Sequence, residues 1–256
     1  MSAGRTRRNV IGIGVMGLGF VGLSKLRDMH GAQLEFRPLT RPAGFRRLVQ
    51  GGAISSGAGG AVLAGLDAPG AARPAPFVPG VDGDLCAALF EDARAPGAAS
   101  MAIFDDYRCP SCKVLIAAAR KMAAAAPTRL KLHVHDWPVL GPVSERMARI
   151  ARAAGLQGAW RPMHDALSLS RFAPTDGWIE AMARPMGLSV PRLLRDMQGP
   201  EVARELARSA SLAALFGFVG TPGIVIGRSV AVGALPVSVL SQLVRDERAA
   251  EGARCG

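Results

Sequence analysis

Between Ser100 and Cys112 the chain reads "SMAIFDDYRCPSC", an apolar run that ends on two aspartates and passes directly into a Cys-Pro-x-Cys step. A short run that is apolar on both faces suits a buried central strand rather than a half-exposed one. Pro110 suits the first position of a helix, because the N–H it lacks would have no partner there. The helix is therefore expected from Pro110 to about Ala126, capped by Cys109 and ended by Pro127, with Val114, Leu115 and Met122 facing inward. "RLKLHVHDW" then alternates as a strand, and strand, helix and strand over about forty residues make a βαβ unit with parallel strands. The fold class is α/β.

From Ser144 to about Phe216 the pattern turns helical. Ser144, Thr175 and Ser189 are the expected N-caps, and Met147, Ile150, Ala151, Ala154, Val202, Leu206 and Leu212 mark buried faces. A helical subdomain is thus inserted after the βαβ half. "GIVIGRSVAVG" reads as a hairpin turning at Gly227 and Arg228, and Pro236 to Arg248 as a closing helix. The order is βαβ, helical insertion, then ββα.

Upstream, residues 26–83 are rich in Gly, Ala and Pro and read as an extension, in which "LEFRPL" could supply one edge strand. In residues 1–25, Arg5, Arg7 and Arg8 precede an uncharged stretch over residues 9–24 with the length of a signal-peptide core. "TRRNVI" resembles the twin-arginine export signal. No small-x-small cleavage site follows, so a removed signal and an uncleaved membrane anchor both stay open. Either places the protein in the periplasm, soluble or anchored in the inner membrane, where disulfides persist. The formal charge of +11 raises nucleic acid as a partner. Scattered arginines, four lysines and a single tyrosine, Tyr107, lack the basic run interleaved with aromatics that nucleic-acid binding uses.

A cysteine at a helix N-cap has free amides and the positive end of the helix dipole turned toward its sulfur, which favours the thiolate. Cys112, one turn on, lies within disulfide reach and behind Cys109. An attacking thiolate and a resolving thiol can exchange disulfides through a mixed intermediate and need no cofactor. The rival is a binding module: a tethered Cu(I) or zinc site on Cys109 and Cys112 with His133, which shares a strand face with His135. The expected metal content is none. Asp105 and Asp106 read as a solvated pair at the strand end, His164 and the three tryptophans Trp137, Trp160 and Trp178 as packing residues, and Cys86 and Cys255 as free or optionally paired thiols.

Three segments in order resemble the DsbA-like branch of the thioredoxin fold. "FDDYRCPSC" resembles its F-x-D-Y-x-C-P-x-C stretch, "WPVLGPVSERMARIARAAGLQGAWRPMHDAL" its P-x-L-G-x-x-S segment leading to a His-x-x-Leu turn, and "FGFVGTPGIVIG" its cis-proline strand. The resemblance covers residues 84–256. It implies an exported thiol:disulfide oxidoreductase acting on cysteine-containing exported proteins, most simply a dithiol oxidase, and leaves room for a membrane redox partner. Cys109 is then the nucleophile, Cys112 the resolving thiol, Pro110 and Ser111 the dipeptide between them, and Thr221 with a cis Pro222 the peptide-binding edge. Reductase, isomerase and glutathione-dependent transferase activities on the same fold stay open. Two departures matter. Ser111 stands where strongly oxidising members carry histidine, and Ile103 stands where many relatives carry a proton-moving carboxylate.

Overall fold

A computed structural model describes residues 33–49, 84–91 and 97–250. The chain divides into two units, Met1–Glu35 and Phe36–Gly256, and all the elements below belong to the second. The signal or anchor expected over residues 1–25, and Cys255, lie outside the described residues.

Two short strands come from the stretch read as extension: β1 (Phe36–Pro38) and β2 (Arg46–Leu48). They pair with each other antiparallel, and β2 runs parallel to β6 (Ser229–Val232), so "LEFRPL" does supply the edge and a second strand joins it to the sheet. The fastening is physical. Phe45 packs edge-on against Phe216 at 5.1 Å, and the Glu247 carboxylate accepts from the Arg46 guanidinium (3.2 Å), the Ser229 hydroxyl (2.6 Å) and the Arg228 N–H (3.1 Å).

After α1 (Leu85–Phe90), capped by Asp84, come β3 (Ala99–Asp105), α2 (Pro110–Ala125) and β4 (Leu130–Asp136). β3 and β4 are parallel, in register from Ala99 opposite Leu130 to Asp105 opposite Asp136. β3 also pairs antiparallel with β5 (Gly223–Ile226), which continues into β6 through a turn where Gly227 takes φ 52°. The sheet order is β1-β2-β6-β5-β3-β4, and β3, inside the sheet and buried at nearly every position, is almost wholly apolar as a strand covered on both faces must be. On α2 the buried stripe is Cys112, Leu115, Ile116 and Ala119. Val114, expected inside, is 71% exposed, because a position two residues from Cys112 falls on the opposite side of a 3.6-residue helix.

The insertion comprises α3 (Pro142–Gly155), α4 (Trp160–Leu169), α5 (Asp176–Ala183), α6 (Val190–Asp196) and α7 (Pro200–Leu215), and α8 (Val237–Ala249) closes the chain. One core lies among these helices around Met147, Ile150, Met163 and Leu167, and another forms around Phe104, Leu89, Phe216 and Val225. Helix α7 contributes to both, with Val202 and Leu206 at its start and Leu212 near its end. Thr175 caps α5 as expected, its hydroxyl accepting from the Trp178 N–H. Ser189 stands at the N-cap of α6 without a side-chain cap bond. Ser144 is not a cap: Gly141, at φ 98°, ends the loop, and Ser144 lies buried inside α3. The proline at the helix start sets the boundary three residues earlier than the hydroxyl suggests. Among the described residues no helix is long and apolar enough to cross a membrane.

Candidate active site

The site lies where β3 ends and α2 begins. Cys109 is the N-cap of α2 in extended backbone (φ −82°, ψ 112°), with proline next, and its sulfur accepts the Cys112 N–H at 3.1 Å. The Ser111 hydroxyl is 3.5 Å from the same sulfur, and the Cys109 thiol faces the Thr221 carbonyl at 3.6 Å. The structure thus brings Cys109, Ser111, Cys112 and Thr221 together. The Thr221–Pro222 peptide bond is cis. Both cysteines are reduced and buried, Cys109 as fully as Cys112, between exposed Arg108 and Pro110. The Cys112 thiol is pushed far up from its ordinary pKa, first by burial, then by its bond to Cys109 and by the nearby Asp105 charge. An amide and a helix start facing one sulfur, with a second thiol held protonated behind it, is the asymmetry disulfide exchange requires.

The two aspartates before the motif are not solvated; both are buried. Asp106 accepts from the N–H groups of Arg108 (2.8 Å), Val139 (2.7 Å) and Leu140 (2.9 Å) and from the Ser144 hydroxyl (2.7 Å). This carboxylate ties the cysteine loop to the β4–α3 connection and to α3. Asp105 lies 3.1 Å from His164 Nε2, and its pKa is raised, burial outweighing the histidine's bond and charge. His164 therefore does more than pack.

Sequence reasoning passed over the partner of this pair on the next strand. Asp136 accepts from the Tyr107 hydroxyl (2.7 Å) and Trp160 Nε1 (2.9 Å) and pairs with Arg152. Burial and the neighbouring carboxylates hold the Tyr107 hydroxyl well above its ordinary pKa, so it stays a donor. The available signal was two strands of one βαβ unit, each ending on aspartate.

His133 is not with the cysteines. It faces Glu91 at 3.7 Å and the His135 ring at 4.6 Å, beside a cavity of about 630 Å³ lined by Arg152, Lys131 and Glu205 among others. Among the described residues the cluster with metal-ligand geometry is Asp105, Asp136 and His164, which includes neither cysteine nor His133. Its charges already have partners in His164 and Arg152. Cys86 is disulfide-bonded, so of the two readings, free or optionally paired, the free one does not hold. Spacing along the chain carries no information on the distance that decides pairing.

A family model described as a DSBA-like thioredoxin domain matches residues 101–245, more than half of the chain. The chain belongs to this family. The fold is accordingly the thioredoxin-like fold of DsbA, and the family's activity is thiol:disulfide oxidoreduction. No curated protein matches the chain. Among solved structures, it is similar to a thioredoxin-like oxidoreductase from Silicibacter pomeroyi, with 32% identity, a TM-score of 0.57 and coverage of 64% of this chain and 98% of that one. A periplasmic thioredoxin-like protein from Salmonella enterica shares 28% identity over 64% of this chain and 95% of its own, with a TM-score of 0.51. The thiol-disulfide exchange protein alpha-DsbA2 from Wolbachia pipientis, at 21% identity, a TM-score of 0.55 and coverage of 62% and 90%, shares the fold.

Proposed function

We propose that this DsbA-like chain is an exported dithiol oxidase, with Cys109 as nucleophile and Cys112 as resolving thiol. The observation that carries the reading is the Cys112 N–H donating to Cys109 Sγ at the start of α2, which stabilises a thiolate on the outer cysteine. A stabilised reduced form makes the oxidised form a stronger oxidant. In the oxidising direction a substrate thiolate attacks Cys109 and the bond to Cys112 breaks; a second substrate thiolate then attacks the substrate sulfur of the mixed disulfide, forming the substrate disulfide and releasing the Cys109 thiolate. Pro110 starts the helix, and Ser111 offers its hydroxyl to the thiolate in place of a charged residue. Thr221 and Pro222 form the edge against which an extended substrate peptide lies. Exposed Val219, two residues before Thr221, offers that peptide an apolar contact.

Export rests on the arginine-led stretch of residues 1–25, as a removed signal or as a tether through residues 9–24, and agrees with the periplasmic description of the Salmonella relative. Residues 84–256, together with β1 and β2 from the stretch before them, form the redox domain. In this setting the substrates are exported proteins with cysteine pairs, and a membrane redox partner restores the disulfide.

Titration of the full chain against glutathione tests the assignment, with alkylation and mass measurement reporting the Cys109–Cys112 bond. A potential near about −120 mV identifies a disulfide donor, and one near about −270 mV a reductant, which replaces the oxidase reading. Full-rate oxidation of a reduced substrate by Cys109→Ala would overturn the site altogether.

A further inference from the structure

The sheet ends at β4, whose outer edge no described strand covers. Successive residues of a strand turn their N–H and C=O to opposite neighbours. Along β4 the odd-numbered residues turn to β3: the Arg129 carbonyl accepts from the Ala99 N–H, and the Trp137 N–H donates to the Asp105 carbonyl. The even-numbered residues turn outward, since the Leu130 N–H donates to the Ala126 carbonyl and the Val134 carbonyl accepts from the Arg152 guanidinium at 3.0 Å. Between these two fixed points the Leu130 carbonyl, both backbone groups of Leu132 and the Val134 N–H find no hydrogen-bond partner among the described residues. They run along the cavity of about 630 Å³, which residues 130–134 line without a break. Ala123 and Ala124 of α2 and Gly155 of α3 line it too, and such small residues leave room for another backbone beside the edge.

The lining carries four cations, Arg120, Lys131, Arg152 and Arg161, against the carboxylates of Glu91 and Glu205. Arg120 is paired with Asp165, and Arg152 with Asp136 and Glu205. His133, its pKa lowered by burial, adds no charge at neutral pH. Lys131 and Arg161 have no ion-pair partner among the described residues. A lysine on an edge strand deters a second copy of the same chain, the more so in a chain of formal charge +11. A strand of the opposite charge meets no such repulsion.

We propose that the β4 edge docks an extended acidic segment of a partner protein, which joins the sheet as a further strand beside Leu132. Main-chain bonds to Leu130, Leu132 and Val134 hold the segment, and its carboxylates meet Lys131 and Arg161. Arg152, on the Val134 carbonyl, marks where the pairing stops. The cavity lining includes neither cysteine of the motif nor Thr221, and β3 stands between β4 and β5, so a docked segment leaves Cys109 free to exchange. The docking goes beyond the oxidase reading and does not depend on it.

The probes are two short labelled peptides without cysteine, one alternating valine with glutamate and one alternating valine with lysine, titrated onto the full chain by fluorescence anisotropy. The glutamate peptide should bind about tenfold or more tightly than the lysine peptide, and the double variant Lys131→Glu, Arg161→Glu should reverse that order. Amide hydrogen exchange locates the peptide: the Leu132 and Val134 N–H groups should slow about tenfold when it is bound, with Thr221 unchanged. Leu132→Pro removes an outward N–H, a change that an edge strand tolerates, and should abolish binding. No binding of the glutamate peptide, equal binding of the two peptides, indifference to the charge reversal, or protection at Thr221 in place of Leu132 overturns the proposal. Protection of Leu132 that grows with protein concentration in the absence of peptide identifies a second copy as the occupant and overturns it as well. If Leu132→Pro does not fold, the exchange measurement on the wild type decides. None of these outcomes bears on the Cys109–Cys112 assignment, which the glutathione titration tests separately.

Discussion

Asp106 accepts four donors drawn from three parts of the chain, and each holds the cysteine loop in place. Ser144→Ala removes one of them from a buried carboxylate, so urea unfolding should show a loss of about 1–3 kcal/mol. Ser111 touches the chemistry more directly. Without its hydroxyl the Cys109 thiolate loses a donor, the reduced form is less favoured, and Ser111→Ala should lower the potential by about 10–30 mV in glutathione titration. At this scale the sequence was legible where one residue's geometry depends on its neighbour: proline after Cys109 announces an N-cap. It was not legible for Asp105, Asp106, Asp136 or His164. Two acids at a strand end look solvated until α3 and α4 arrive to bury them, and those helices begin more than thirty residues later.

Among elements, helix α2 and strands β3 to β6 follow the apolar pattern closely, since each buries a face whose period can be read locally. The edge is different. β2 has three residues, and its place in the sheet depends on Phe45 and Leu48 finding the core beside Phe216 and on Arg46 finding Glu247. A fragment beginning at Asp84 therefore loses two buried apolar side chains and bares the β6 edge. Compared with the full chain it should be less stable by about 3–6 kcal/mol in chemical unfolding, from Phe45 and Leu48 at about 1.5–3 kcal/mol each. Association of the fragment through its bared strand, seen by light scattering, is the expected companion. Equal stability of fragment and full chain would mean that β1 and β2 add nothing to the fold.

For the molecule as a whole, the buried charges set how stability responds to pH. His135 stacks on Phe104 at 4.6 Å and meets the Leu89 carbonyl at 2.9 Å; burial, with His133 beside it, lowers its pKa well below the ordinary 6.5. Below that ordinary value the unfolded chain takes up a proton that the native chain refuses. The contribution is thus present above about pH 6.5 and lost on acidification, at about 1.4 kcal/mol per pH unit for one proton. Asp105, raised by burial, tilts the other way from its ordinary 3.8 upward, since there the unfolded chain loses its proton first. Comparison with His135→Gln isolates the histidine: its unfolding free energy should fall less steeply than the wild type's just below pH 6.5, and parallel slopes would refute the assignment. The amino-acid sequence settled the order βαβ, helices, ββα and the asymmetry of the Cys109–Cys112 pair, because strand and helix periods and N-cap chemistry act over a few residues. Long-range packing settled the rest: which acids lose water, that His164 reaches under the site, and that residues 36–48 complete the sheet. Burial is a property of what comes to lie beside a residue, and for these groups the neighbours arrive from distant parts of the chain.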